Sequence, residues 1–287
     1  MRRVLPLLLL LAACGGSDPE PAPAPTPEPT AGEEAPVAEV TIPSGDLAAA
    51  IAGEHRSEEN RARDAYRHPL ETLQFFGIEP SMRVIEVRPG RGWYTEILAP
   101  YLRGEGQLIA AVPSADGERA RYRQRFVDFT QTMPELYGDI ELVTFEPPSP
   151  IRLGPDGSVD AVVTFRNTHN WIGDNGAREA YEAFFRVLRP GGVLGVVQHR
   201  ASDSADTAET APNGYVTERY IIELCQEVGF VFEESSDVNR NPRDRHDYPG
   251  GVWTLPPVLR LGDEDRARYE AIGESDRMTL RFRRPAL

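Results

Sequence analysis

The 287-residue sequence contains no lysine, so all 31 of its Lys/Arg positions are arginine. Imine chemistry on a lysine amine is therefore excluded. The bias itself reflects base composition as readily as function. Cysteine is almost as scarce, at two residues. Cys14 falls in a leader, which leaves Cys225 without an intrachain disulfide partner even in an oxidising compartment. Cys225 lies on the apolar side of a helix expected around Ile221 to Val228 and reads as a packing residue rather than a nucleophile. The formal net charge of −14 shows a deficit of positive charge and argues against nucleic acid as a partner, because phosphate binding needs a basic surface. The apolar run Val4 to Leu11 is too short to span a bilayer as a permanent helix. No His, Cys and carboxylate spacing suits a zinc or iron site. No Gly-x-Ser-x-Gly turn marks a hydrolase nucleophile.

What is present divides into four stretches. Residues 1–14 form a secretion signal, in which Arg2 and Arg3 precede the apolar run and Leu-Ala-Ala-Cys closes it. That ending resembles the bacterial lipobox, which implies that Cys14 is lipidated and anchors the chain to a membrane, at about 0.8 kcal/mol per buried methylene. Gly15 after the cysteine, rather than aspartate, resembles outer-membrane sorting. Residues 15–43 are rich in Pro, Ala, Thr and Glu. They cannot bury enough apolar area to fold, so they read as an extended tether of up to roughly 80 Å. Residues 44–80 form a helical pre-segment over Asp46 to Phe76, interrupted at Pro69. Its charged stretch Arg56 to Arg67 is a solvated face, or else a lid that turns Arg63, Asp64 and Arg67 inward. Residues 81–287 alternate strand and helix, the pattern of a parallel α/β sheet that binds ligands beyond the carboxyl ends of its strands.

The expected strands are Arg83 to Val87, Gln107 to Val112, Ile140 to Phe145, Ala161 to Phe165, Val193 to His199, Phe230 to Glu234 and Met278 to Arg283. Helices are expected over Trp93 to Tyr101, Ala115 to Thr130, Ala177 to Leu188 and Thr217 to Val228. The stretch Val84 to Thr95 is the key unit, a short β-branched strand, a turn at Pro89, Gly90 and Gly92, then a helix. Without a Cβ at either glycine, a ligand can approach the backbone closely. Glu86 at the strand end can accept from an amine or a hydroxyl. An ordinary βα turn would use the same glycines for backbone geometry alone. The long polar excursion Asn239 to Asp276 reads as functional or disordered.

Together these residues resemble the class I S-adenosylmethionine-dependent methyltransferases. More narrowly, the chain is similar to a group of bacterial predicted methyltransferases, often exported, through Glu59 to Asp64, Pro89 to Glu96, Phe165 to Trp171 and Leu188 to Gly192. The resemblance implies a Rossmann-like sheet of seven strands in the order 3-2-1-4-5-7-6, the seventh antiparallel. It implies that Glu86, Gly90 and Gly92 hold the amino-acid end of S-adenosylmethionine. Trp93, Tyr94 and Thr95 would line the turn, where an aromatic face could attract the sulfonium. Arg166, Asn167, His169 and Asn170 would lie between cofactor and substrate.

Two positions depart from that pattern. Arg88 stands where the superfamily has glycine, so its side chain must turn away or fill part of the pocket. The second strand ends Ala110-Ala111-Val112-Pro113 without the usual ribose-binding acid, and Asp116 is a late substitute. A dinucleotide is a poorer fit, since Thr95 replaces the third glycine and Trp93 and Tyr94 crowd a pyrophosphate. Methyl transfer needs alignment, exclusion of water and a base only for a protonated acceptor. His199 and His169, each after a strand at the carboxyl edge, are base candidates, with Asn170 beside them. Either histidine could instead be structural; His246 reads as a solvated loop residue, and His55 and His68 carry no assignment. The expected function is a lipid-anchored methyltransferase acting on a small molecule. The alternative is a non-catalytic binding protein that keeps the fold, which Arg88 and the missing acid favour.

Overall fold

The structure, a computed structural model, describes residues 44–286. Cys14, the leader and the tether lie outside them. Seven strands, β1 Arg83–Val87, β2 Gln107–Val112, β3 Glu141–Thr144, β4 Val159–Phe165, β5 Leu188–His199, β6 Val231–Ser236 and β7 Arg277–Arg283, form one sheet in the order β3-β2-β1-β4-β5-β7-β6. The pairings of β1 to β5 are parallel, whereas β7 runs antiparallel to both β5 and β6. This is the Rossmann-like arrangement expected from the sequence. Central strands read as nearly unbroken apolar runs because both of their faces are covered.

Alternation along each strand sends neighbours to opposite faces. Ile85, Val162, Leu194 and Val196 pack on one side against the helices Ala177–Val187 and Glu218–Val228, through Phe184 and Ile221. Val84, Val163 and Val197 pack on the other side. That side is covered by α4 (Pro69–Phe76) and α5 (Thr95–Leu102). The pre-segment divides into α1 (Leu47–Ala52), α2 (Glu58–Ala62), α3 (Asp64–Arg67) and α4 rather than a single interrupted helix. Its last break is chemical, with His68 left-handed at φ 40° and Pro69 opening α4 at a position where its missing N–H costs nothing.

Three boundaries move. The helix expected from Ala115 begins instead at Ala120 (α6, Ala120–Thr130), because Ser114 N–H donates to Glu146 at 3.2 Å and Gly117 C=O accepts from Ala120 N–H, making a turn first. Strand β5 starts at Leu188, not Val193; the Arg-Pro-Gly-Gly turn survives inside it as a bulge. Pairing with β4 jumps from Val159↔Leu188 to Ala161↔Val193, with Gly191 at φ 76°. Third, the stretch after β4, for which the sequence predicts no element, holds a further helix over Thr168–Gly173.

Gly195 in β5 admits the Phe76 ring; a Cβ there would lie 2.6 Å from Phe76 Cδ2, and Phe76 is fully buried. Gly195→Ala is therefore expected to destabilise the fold by about 1–3 kcal/mol through overpacking, read as a lower urea midpoint. An unchanged midpoint would show that the pre-segment is not docked on the sheet.

Candidate active site

The chain leaves β1 through a turn whose amide at Arg88 bonds Ala111 C=O at 2.8 Å. The two glycines of that turn do different work. Gly90 has φ 67° and open space where a Cβ would stand, so its backbone faces the cavity. Gly92, at φ 84°, would drive a Cβ to 2.4 Å from the Phe129 ring and serves packing. Thr95 is buried and donates Oγ1–H to Glu86 Oε2 at 2.6 Å. Burial pushes the Glu86 carboxyl up to about 7, partly offset by that hydrogen bond.

Glu86, Gly90, Trp93, Tyr94, Asn167, His169, Asn170 and His199, contributed by separate elements, line one cavity of about 800 Å³. Gly92 and Thr95 stand behind its wall. Asn167 donates to Val87 C=O at 3.0 Å, tying the end of β4 to that of β1. The aromatic rings of the turn already have partners. Guanidinium carbons of Arg56 and Arg67 lie 5.0 and 4.5 Å from the Trp93 ring centroid, and Tyr94 stacks on Phe165 at 3.6 Å.

The two histidines have different hydrogen-bond partners. Gln198 Oε1 accepts from Thr168 N–H at 3.2 Å, so its amide nitrogen faces Gly214 C=O at 2.9 Å and His169 Nδ1 at 3.2 Å. His169 Nδ1 is thereby an acceptor, and the neutral ring carries its proton on Nε2. Burial, with help from Arg166, lowers its pKa to about 4 against the Gln198 bond. His199 Nδ1 meets Ser275 Oγ at 2.6 Å. Its pKa also lies well below the ordinary value, through burial and then through His169, Arg166, Arg277 and Arg67. Both rings are neutral at pH 7, with centroids 5.8 Å apart.

Of the two readings of the pre-segment's charged face, the inward one describes the structure. Arg67 is 2% exposed. Arg63 and Arg67 reach Glu274 at 2.7 and 3.2 Å, and both line the cavity. Arg56 is likewise buried, in a two-pronged pair with Asp64 at 2.7 and 2.8 Å. The long excursion supplies the facing wall through Val252, Trp253, Pro256, Pro257 and Val258, followed by Glu274 and Ser275. Burial alone would raise the Glu274 carboxyl, yet Arg67, Arg277, Arg63 and Arg166 hold it at about 2. Gln198, Trp253, Glu274 and Ser275 carry no motif in the sequence.

Several other positions resolve differently from expectation. His246 is half-buried, edge-on to Tyr215 and 3.9 Å from Asp276, not a solvated loop residue. Burial lowers its pKa, but Asp276 and Asp244 outweigh burial and raise it. His55 is structural, with Nε2 2.7 Å from Glu96 C=O. Cys225 is fully buried in the core, as expected of a packing residue. Asp116 is exposed and outside the cavity lining. Arg88 takes the second of its alternatives. It adopts φ 52°, lies 5.7 Å from the Phe145 ring, and lines both the main cavity and an adjoining one of about 330 Å³. The carboxylate lining that adjoining cavity is Asp174, paired with Arg119 at 2.7 Å. Among the described residues no group of His, Cys, Asp and Glu is arranged to hold a metal ion, and no helix is long and apolar enough to cross a membrane.

The fold is shared with proteins of known structure. A SAM-dependent methyltransferase from Aquifex aeolicus superposes with TM-score 0.50 and 18% identity over 62% of this chain and 87% of its own. The cyclase SpnF gives TM-score 0.57 and 17% identity over 82% and 86%. Phosphoethanolamine N-methyltransferase 2 of Haemonchus contortus, solved with S-adenosyl-L-methionine, gives 0.51 and 14% over 77% of this chain and 53% of its own. No protein-family model matches the sequence, and no curated protein does. At these identities the likeness shows the fold, and SpnF illustrates that the fold hosts more than one chemistry.

His169 supplies a pH test of this geometry. Between its folded pKa of about 4 and its ordinary 6.5, the unfolded chain binds a proton that the folded chain does not. Its contribution to stability is thus complete above 6.5 and is lost as pH falls toward 4. Urea unfolding should lose on the order of 3 kcal/mol more over that window in the wild type than in His169→Asn. Equal slopes would contradict a buried neutral ring.

Proposed function

We propose that the chain is an S-adenosylmethionine-dependent methyltransferase acting on a small molecule. The observation that carries this reading is the buried Glu86 carboxylate beside the open Gly90 backbone, with neutral His199 across the same cavity. Glu86 and the Gly90 turn fit the amino-acid end of the cofactor, because a carboxylate held near neutral pKa becomes a strong acceptor once an ammonium group joins it. The fit is weaker at the ribose, where Arg88 and the Asp174–Arg119 pair replace a free acid after β2. When bound, the cofactor supplies an electrophilic methyl group on positively charged sulfur.

The chain's own part is alignment, dryness and proton traffic. Trp253 and the Pro256–Pro257 stretch wall the cavity from the side of the excursion, and the pre-segment closes it from the other. In the tautomer that donates Nδ1–H to Ser275, His199 has its lone pair on Nε2 and can take the proton of a hydroxyl acceptor as the new bond to carbon forms, or that of an ammonium before the freed amine attacks. His169, whose proton sits on Nε2, is a donor that orients an acceptor oxygen. We place the protein outside the cytoplasm, lipidated at Cys14 and held at the membrane by the tether of 15–43; the lipobox-like Leu-Ala-Ala-Cys and the leader support this. Nucleic acid is not a substrate on this reading.

A second reading, a non-catalytic binder on the same fold, is favoured by Arg88, whose buried Nε has no hydrogen-bond partner among the described residues and whose side chain takes up room beside Gly90. Turnover separates the two, since a binder has none to lose.

Calorimetric titration of S-adenosylmethionine into the full chain should show binding that Gly90→Val abolishes, as valine is strained at φ 67° and fills the cradle. Affinity should fall about tenfold per pH unit below 7, with proton release, because Glu86 must ionise to accept the amine. Binding that is flat across pH 5–8 would remove Glu86 from the site. For the anchor, Cys14→Ser should shift the protein from the membrane to the soluble fraction of cells; unchanged membrane association would refute lipidation at that residue.

A further inference from the structure

The cavity has a charge imbalance that the cofactor reading does not use. Arg63, Arg67 and Arg166 line it, and Arg277 stands behind, all within the field of one carboxylate, Glu274. Glu274 takes Arg63 at 2.7 Å, Arg67 at 3.2 Å and Arg277 at 3.0 Å. Even so, Arg63 Nη2, Arg67 Nη1 and Arg277 Nε are buried without a hydrogen-bond partner among the described residues. Arg67 and Arg277 are only 2% and 3% exposed. Among the described residues Arg166 has no carboxylate within ion-pairing distance, and the backbone holds it in the cavity wall at φ 63°, with its N–H on Val197 C=O at 2.7 Å. Unpaired buried guanidinium donors are costly. A chain of net charge −14 could readily have supplied a second acid here, yet it gathers cations around one.

The cluster spans the cavity: Arg67 lies 4.5 Å from the Trp93 ring centroid of the turn and Arg166 follows β4, the strand next to β1, whereas its carboxylate stands farther off. Glu274 and Ser275 precede β7, which is three strands from β1 in the order β1-β4-β5-β7. At about 4.8 Å per strand that is roughly 14 Å. His199 ends β5, the strand between β4 and β7, and is paired in register with Arg277. We infer that Arg63, Arg67 and Arg166 form an oxyanion subsite for a carboxylate or phosphate group of the methyl acceptor, which places the acceptor's other end beside His199. Guanidinium forks match both oxyanions. The assignment of the anion to a methyl acceptor rests on the methyltransferase reading; the anion subsite itself does not.

The test titrates inorganic phosphate, acetate and, separately, S-adenosylmethionine into the full chain at fixed ionic strength, following heat and the melting temperature. At least one of the two anions should bind and raise the melting temperature. Arg166→Gln should weaken that binding about tenfold, as expected for loss of one charged hydrogen-bonding group, and Arg63→Gln should weaken it in the same direction. Arg119→Gln, away from the cluster, should not. Melting in the absence of anion verifies that each variant folds, and because the two arginines come from separate elements and are replaced one at a time, one variant that fails to fold leaves the other to decide the outcome. S-adenosylmethionine affinity should be unchanged by Arg166→Gln and Arg63→Gln. Failure of both anions to bind the wild type, or binding indifferent to both arginines, overturns the proposal. An equal loss for S-adenosylmethionine would reassign the cluster to the cofactor's own carboxylate and also overturn it. Anion binding through the cluster, with no S-adenosylmethionine binding at all, would refute the methyltransferase reading and leave the anion subsite standing.

Discussion

One buried carboxylate, Glu274, is the electrostatic centre on which the cavity depends. Its partners come from opposite ends of the chain, with Arg63 lying 211 residues away in sequence. Without Glu274, the guanidinium groups that it gathers would repel one another in a medium of low dielectric. With it, α2 and α3 are drawn onto the mouth of the sheet and held against the start of β7. Arg277 adds a second tie by donating to Tyr66 C=O at 2.6 Å. The pre-segment is thereby fastened twice, by apolar packing of α4 under Gly195 and by charge at Glu274.

This arrangement also explains the state of the histidines. His199 shares its surroundings with Arg166, Arg277 and Arg67, so an added proton would sit among like charges as well as in a dry site. A neutral imidazole results, able to accept a proton but unwilling to keep one. Gln198 fixes the tautomer of His169, occupying Nδ1 and leaving Nε2 to donate. Two similar side chains at one sheet edge are thus differentiated by their neighbours.

Much of this can be read along the chain and some of it cannot. The β1 turn, Glu86 and the succession of strands and helices are legible because each depends on local chemistry, namely glycine backbone freedom, two-residue alternation and the helix-to-strand rhythm, whereas the strand order follows only from the family resemblance. Arg88 is visible as an oddity, but its packing on Phe145 requires the third dimension. Glu274 and Ser275 stay hidden because nothing near them in sequence distinguishes them from the solvated charges of the same excursion. The inward turn of Arg63 and Arg67 is a contact of long sequence separation and leaves no periodic trace. The half-buried state of His246 is concealed for the same reason, since Asp276 lies 30 residues on.

The absence of lysine acquires a physical meaning at this cavity. Burial disfavours any cation, and the Arg166 pKa falls to about 10, chiefly through desolvation and against the pull of Glu274. A group that starts at 12.5 remains charged after that loss. An ammonium, with an ordinary pKa near 10.4, would be brought close to neutrality by a comparable shift. A dry, cation-rich pocket that must stay charged is therefore available to arginine on terms that lysine could not meet, whatever drove the composition of the chain as a whole. That margin suits Arg166 to a site where a single carboxylate, Glu274, organises several positive charges.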